Sequence, residues 1–135
     1  MNKALLIAMI AAVVAALILG LMAAGGPGYA RMEKMDRERI SDLNRIFNYL
    51  QCPKAKRPLP EALEDADYCP EYVRINSVSD PKTDAPYIYR RIDDTRFEVC
   101  AEFELPAESH LSQSLNRPLK FEGQTGCMSG STLPD

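Results

Sequence analysis

Residues 80–105 read DPKTDAPYIYRRIDDTRFEVCAEFEL. The second half of this stretch decides the fold. Phe97, Val99, Ala101, Phe103 and Leu105 alternate with Arg96, Glu98, Cys100, Glu102 and Glu104. That is the period of two expected of a strand with one buried face. YIYRRI (87–92) supplies a second, shorter run of strand-forming residues, and Asp93-Asp94 lies between the two. The spacing predicts a β-hairpin, whose apolar face needs a cover. Cys100 falls on the polar face among glutamates, where a lone cysteine is out of place. A tether or covering segment is expected there. Residues 106–127 are long enough to return across that face, with LKFEG (119–123) as a third strand.

The first half of the stretch poses a chemical choice. Asp80 and Asp84 lie four apart and could seed a cation site. Calcium, however, takes about six to eight oxygens, and these residues offer two carboxylates, Thr83 and some carbonyls. As a turn the stretch is complete. Asp80 caps a backbone amide, Pro81 pre-sets its own backbone angle, and Pro86 ends the loop. Asp80, Pro81, Asp84 and Pro86 are therefore read as structural turn residues, with no metal assigned.

The cover for the hairpin lies upstream. Met32, Met35, Leu43, Ile46, Phe47 and Leu50 recur at three- and four-residue spacing with charges between them. This predicts an amphipathic helix of about five or six turns, packed on the protein's own sheet. Cys52-Pro53 stops it, because a residue before proline is pushed away from helical angles. KAKRPLP (54–60) reads as a basic loop. Pro60 then suits the first position of a short helix, LPEALEDA (59–66), with Leu59 and Leu63 facing inward. Its Glu61, Glu64 and Asp65 complement the positive end of that helix. YCPEYVRINSV (68–78) reads as an extended connection.

The N-terminal part differs from everything after it. From Ala4 to Ala24 no side chain is charged or strongly polar. At about 1.5 Å rise per residue, such a run crosses a hydrocarbon core of roughly 30 Å. Signal-peptide apolar cores are shorter, about 7–15 residues, so the run reads as a retained single-pass anchor. GGPG (25–28) ends it and acts as a hinge. Three segments follow: 1–28 as anchor and hinge, 29–127 as the folded domain, and 128–135 as a flexible tail of turn-forming composition.

The chain of 135 residues has four cysteines, Cys52, Cys69, Cys100 and Cys127. An even number in a small membrane-targeted domain points to two disulfides and an oxidising compartment. Three pairings exist; Cys52–Cys69 with Cys100–Cys127 closes the two shortest loops that do not cross. Each such loop is worth about 3 kcal/mol in the chain-entropy model. Flanking charge points the other way, since Lys3 stands alone before the anchor while Arg31, Lys34, Arg37 and Arg39 follow it. The cysteines carry more weight than so short a leading tail, which puts the C-terminal domain outside the cytoplasm, in a periplasmic or extracellular space.

Chemistry-bearing patterns are few. His110 beside Ser109 lacks a nucleophile motif and a third member, and reads as a surface loop residue. Glu61, Glu64, Asp65, Asp67 and Glu71 form an acidic cluster whose default is a solvated face. There is no phosphate loop, no aromatic-basic surface for nucleic acid and no catalytic carboxylate pair. The expectation is a non-enzyme with no cofactor, no nucleic-acid partner and no small-molecule substrate.

The order of elements resembles the type IV pilin-like proteins, and the type II secretion pseudopilins in particular. The matching residues are Leu59-Pro60-Glu61-Ala62-Leu63, then Asp80-Pro81 with Pro86-Tyr87-Ile88-Tyr89, and finally FEVCAEFE (97–104) with Gly126-Cys127. The resemblance implies an α+β fold in which a long N-terminal helix, transmembrane then amphipathic, packs on a small antiparallel sheet. It also implies a structural or accessory role in a cell-envelope assembly, with self-assembly or protein partners. The alternative is a membrane-tethered binding module that does not polymerise. The chain departs from the family at its N-terminus, having no glycine before Gly20 and no glutamate within the apolar run. Asp84 also stands where the family often has glycine.

Overall fold

The computed structural model describes residues 2–23, 25–52, 58–63, 68–69, 79–110 and 117–132. The apolar run forms helix α1, Lys3–Ala23, and none of its residues is buried. Its large aliphatic side chains are 43–75 % exposed on every side. A helix that is apolar all round matches lipid rather than a one-sided core. It is long and apolar enough to cross a membrane. The break falls at Gly25, whose φ of 83° is left-handed and whose hydrogen faces the Tyr29 ring. A Cβ there would lie 2.9 Å from that ring. Helix α2, Gly26–Leu50, resumes at the next residue. It takes Pro27 into its first turn, where no amide hydrogen is needed. Gly26 is left-handed too, at φ 67°, so the expected hinge at GGPG narrows to these two glycines, with Pro27 and Gly28 already helical.

The chain divides into two compact units, Met1–Met32 and Glu33–Asp135. In the second, four strands form one antiparallel sheet: β1 Ile88–Arg91, β2 Arg96–Glu102, β3 Lys120–Glu122 and β4 Thr125–Ser131. Their spatial order is β1-β2-β4-β3. The expected β1–β2 hairpin is present, with Arg91 opposite Phe97. Its turn is held by Asp93, whose carboxylate accepts from the amides of Thr95 at 2.9 Å and Arg96 at 2.7 Å. β3 and β4 form a second hairpin around Gly123-Gln124, with Gly123 at φ 65° as a two-residue turn of this kind requires.

The apolar stripe of α2 covers one face of the sheet. Leu43, Ile46, Phe47 and Leu50 join Phe97, Val99, Ala101, Phe103 and Met128 in one core. Phe47 meets Phe97 edge-on at 5.1 Å. Two glycines on β4 make room for these rings. A Cβ on Gly130 would fall 2.5 Å from Phe47, and one on Gly126 would fall 2.7 Å from Phe103. The result is an α+β layout of N-terminal helix and four-stranded antiparallel sheet.

Three expectations need correction. Of the tail 128–135, Met128–Ser131 are not free: they complete β4, and Met128 is buried opposite Val99, while 133–135 lie outside the described residues. Its glycine- and serine-rich composition suits a strand here because large neighbouring rings leave no space for side chains. The second correction concerns the polar face of β2. Among the described residues no segment crosses it; the tether expected for Cys100 is the bridge to Cys127 on the neighbouring strand, and residues 120–131 extend the sheet sideways. The third concerns LPEALEDA. Glu61–Leu63 form a bend and turn rather than a helix, and 64–67 lie outside the described residues. The expected inward packing of Leu59 and Leu63 is present. The basic loop and the extended connection fall mostly outside the described residues, at 53–57 and 70–78.

Candidate functional site

The loop that carries the turn residues closes on itself and then onto α2. Ser79 and Pro86 pair across its base, and the Asp80 amide donates to the Ala85 carbonyl at 2.8 Å. One oxygen of Asp80 accepts from the amides of Lys82 at 2.8 Å and Thr83 at 3.0 Å. These are the bonds of an aspartate opening a turn. Pro81 and Pro86 flank it on the exposed side. Asp84 has a φ of 58°, and its side chain accepts from the Ser79 hydroxyl at 3.2 Å. Aspartate is among the few residues other than glycine that adopt this angle readily.

The other oxygen of Asp80 accepts from Nε of Arg39. Arg39 is 2 % exposed, and its Nη1 donates to Asp36, fully buried, at 2.6 Å. Asp36 in turn accepts from the backbone amides of Glu104 at 3.0 Å and Leu105 at 2.9 Å. Glu104 lies 3.4 Å from Arg39 and receives Lys82 at 2.6 Å. One helical turn, the 79–86 loop and the end of β2 are thus joined through a single guanidinium. Burial opposes charge on both Arg39 and Asp80. Their mutual hydrogen bond outweighs it, with help from Asp36 and from the Lys82 and Thr83 amides. The guanidinium is therefore held above its ordinary pKa and the Asp80 carboxyl below its own.

A second polar pair lies one turn further along α2. Tyr87 donates its hydroxyl to buried Asp42 at 3.0 Å. Burial raises the Asp42 pKa, and the Tyr87 bond and Arg45 only partly offset it. Burial, together with the Asp42 charge, also pushes the Tyr87 hydroxyl up. Tyr89 is raised to about 12 by burial and by Tyr68, and donates to the Pro60 carbonyl at 2.8 Å. The tyrosines of the opening stretch therefore tie β1 to α2 and to the 58–63 loop.

The geometry makes this cluster a clamp. Both oxygens of Asp80 are engaged by Arg39 and the loop amides, so they serve the turn and the ion pair. The structure joins Cys52 to Cys69 and Cys100 to Cys127. The first bridge sits in the core at the end of α2, where Tyr68 also donates to the Leu50 carbonyl at 2.9 Å. Ser109 and His110 end a 3-10 turn, Ala107–His110. Of the acidic cluster, Glu61 is exposed, and Glu64, Asp65, Asp67 and Glu71 lie outside the described residues.

Asp36 and Arg39 were not singled out from the sequence, yet they were legible. They fall in the gap between Met35 and Leu43, on the same helical stripe as Met32, Leu43, Ile46 and Leu50. An acid and a base three apart on an apolar face signal a buried pair rather than a solvated one. No protein-family model, curated protein or solved structure matches this chain.

Proposed function

We propose that this chain is a single-pass, membrane-tethered extracytoplasmic protein, a non-catalytic pilin-like component of a cell-envelope assembly. The observation that carries the reading is α1, apolar and unburied on all sides, joined by α2 to a disulfide-bearing sheet unit. Two disulfides in so small a domain favour an oxidising compartment. The buried clamp around Arg39 supplies a rigid head rather than a reaction centre, since each of its groups is committed to another. Pilin-like subunits associate through their apolar helices, so this helix is the surface by which the protein would join an assembly.

In-membrane crosslinking from single positions on α1 tests the proposal. An assembling subunit gives a ladder of self-adducts. A protein that stays monomeric, or yields one adduct with a different protein, overturns self-assembly and favours a tethered binding module. One observation supports that second reading: no ionisable side chain lies within α1 after Lys3 to set subunit register. Thiol labelling of intact cells, with and without reductant, tests the compartment. Four thiols that react without reductant would place the domain in the cytoplasm.

A further inference from the structure

Among the described residues, the disulfide on the outer face of the sheet has neighbours that the core disulfide lacks. Glu98 and Cys100 lie two apart on β2 and share one face. Directly opposite on β4 stand Ser129 and Cys127. The two sulfurs and a carboxylate oxygen of Glu98 all lie within 4.8 Å of one another. Among the described residues, this is the one group of three or more acidic, histidine or cysteine side chains so closely placed. Cys52 and Cys69 have no such companion there.

We propose that Cys100 and Cys127, once reduced, form with Glu98 a binding site for a thiophilic divalent cation such as Zn²⁺. Two thiolates and a carboxylate give three protein ligands of tetrahedral zinc and leave the fourth position open. Zinc–sulfur bonds of about 2.3 Å and zinc–oxygen bonds of about 2.1 Å require ligand atoms roughly 3–4 Å apart. Small side-chain rotations from the present positions reach that range. The β2–β4 ladder runs from Arg96–Ser131 to Glu102–Thr125, on both sides of the cysteine pair, and gives the two strands backbone links besides the S–S bond.

The surroundings suit a bound cation that keeps one side open. Cys100 is 1 % exposed, while Cys127 and Glu98 are half-buried. Glu98 is held only loosely: Ser129 donates to one oxygen at 3.4 Å, and Arg90 stands 3.6 Å from the other. Arg90 is two-thirds exposed and can swing clear. Ile88 and Lys120 flank the cysteine pair in register. With the metal bound, its charge offsets two thiolates and a carboxylate that would otherwise repel.

The switch needs a reductant, and a dithiol supplies it. A thiolate of the dithiol attacks Sγ of Cys127, the more exposed sulfur, and Cys100 leaves as a thiolate. The second thiol of the reductant then attacks the mixed disulfide and releases Cys127. Two electrons and two protons have entered the protein, and the reductant is left as a disulfide. Metal binding displaces the two protons. Oxidised, the pair staples two strands; reduced, it holds a cation.

The test uses the full chain in detergent micelles, reduced with dithiothreitol, desalted without oxygen and titrated with Cd²⁺ alone. A single Cd²⁺ per chain is expected, with thiolate-to-cadmium absorbance that the oxidised protein lacks. Alkylation followed by peptide mapping should show Cys100 and Cys127 protected at least tenfold by Cd²⁺, and Cys52 and Cys69 unprotected. Glu98→Gln should weaken binding about tenfold or more, as loss of a charged ligand does. Equal alkylation of all four cysteines with and without Cd²⁺ overturns the site, as does protection of Cys52 and Cys69 instead. Undiminished affinity in Glu98→Gln removes the carboxylate from it. Loss of the β-sheet circular dichroism on reduction also overturns the proposal, since the site depends on the β2–β4 ladder.

Discussion

At the scale of single residues, two aspartates of the helix–loop contact respond to pH in opposite ways. The Asp80 pKa is depressed on folding, so its contribution is present above the ordinary carboxylate range and is lost as pH falls through its folded value. The Asp42 pKa is raised, so its contribution is present at acid pH and is lost as pH rises through its folded value. Asp42→Asn keeps an acceptor for Tyr87 and removes the buried charge. Its urea midpoint relative to the parent, measured in micelles, should therefore improve from pH 4 to pH 7; a constant offset would contradict the assignment. Asp84 allows a sharper comparison. Its left-handed backbone predicts that Asp84→Gly is close to neutral, while Asp84→Ala costs about 1 kcal/mol. Equal effects in chemical denaturation would mean that this angle is not adopted.

At the scale of elements, the two patterns with strict periodicity held, while the short helix expected at LPEALEDA did not: Glu61–Leu63 form a bend and turn. The strict alternation of 97–105 and the three- and four-residue spacing of α2 are each set by one buried face. β4 was not legible, because TGCMSGS owes its conformation to partners distant in sequence. Its glycines suit a strand only when the Phe47, Phe97, Phe103 and Phe121 rings occupy the space above them. Gly130→Ala should accordingly destabilise the protein by about 1–3 kcal/mol, the usual cost of overpacking a core. Thermal unfolding of this variant checks it, and the companion Ser129→Ala on the outer face should lie within about 0.5 kcal/mol of the parent. The Asp36–Arg39 pair escaped notice for the converse reason. Charges on a helix are usually solvated, and only their position on the apolar stripe told otherwise.

At the scale of the whole molecule, the Cys52–Cys69 bridge fastens the end of α2 to the segment around Tyr68, in the core and away from the sheet ladder. The two cysteines are 17 residues apart. Replacing both with alanine should lower stability by about 3 kcal/mol, read as a fall in the urea midpoint with a steeper slope, since the unfolded chain loses a constraint. An unchanged midpoint would show that the bridge does not form in the folded protein. The two bridges also have a temporal consequence. Cys69 lies before Cys100 in the chain, so each pair is complete before the next begins. Under the proposed topology, with the chain threaded outward from its N-terminal anchor, Cys52 and Cys69 would meet an oxidant while the later cysteines are still inside. The first bond would then form with no rival thiol in reach, and the order of emergence would select the native partners without reshuffling.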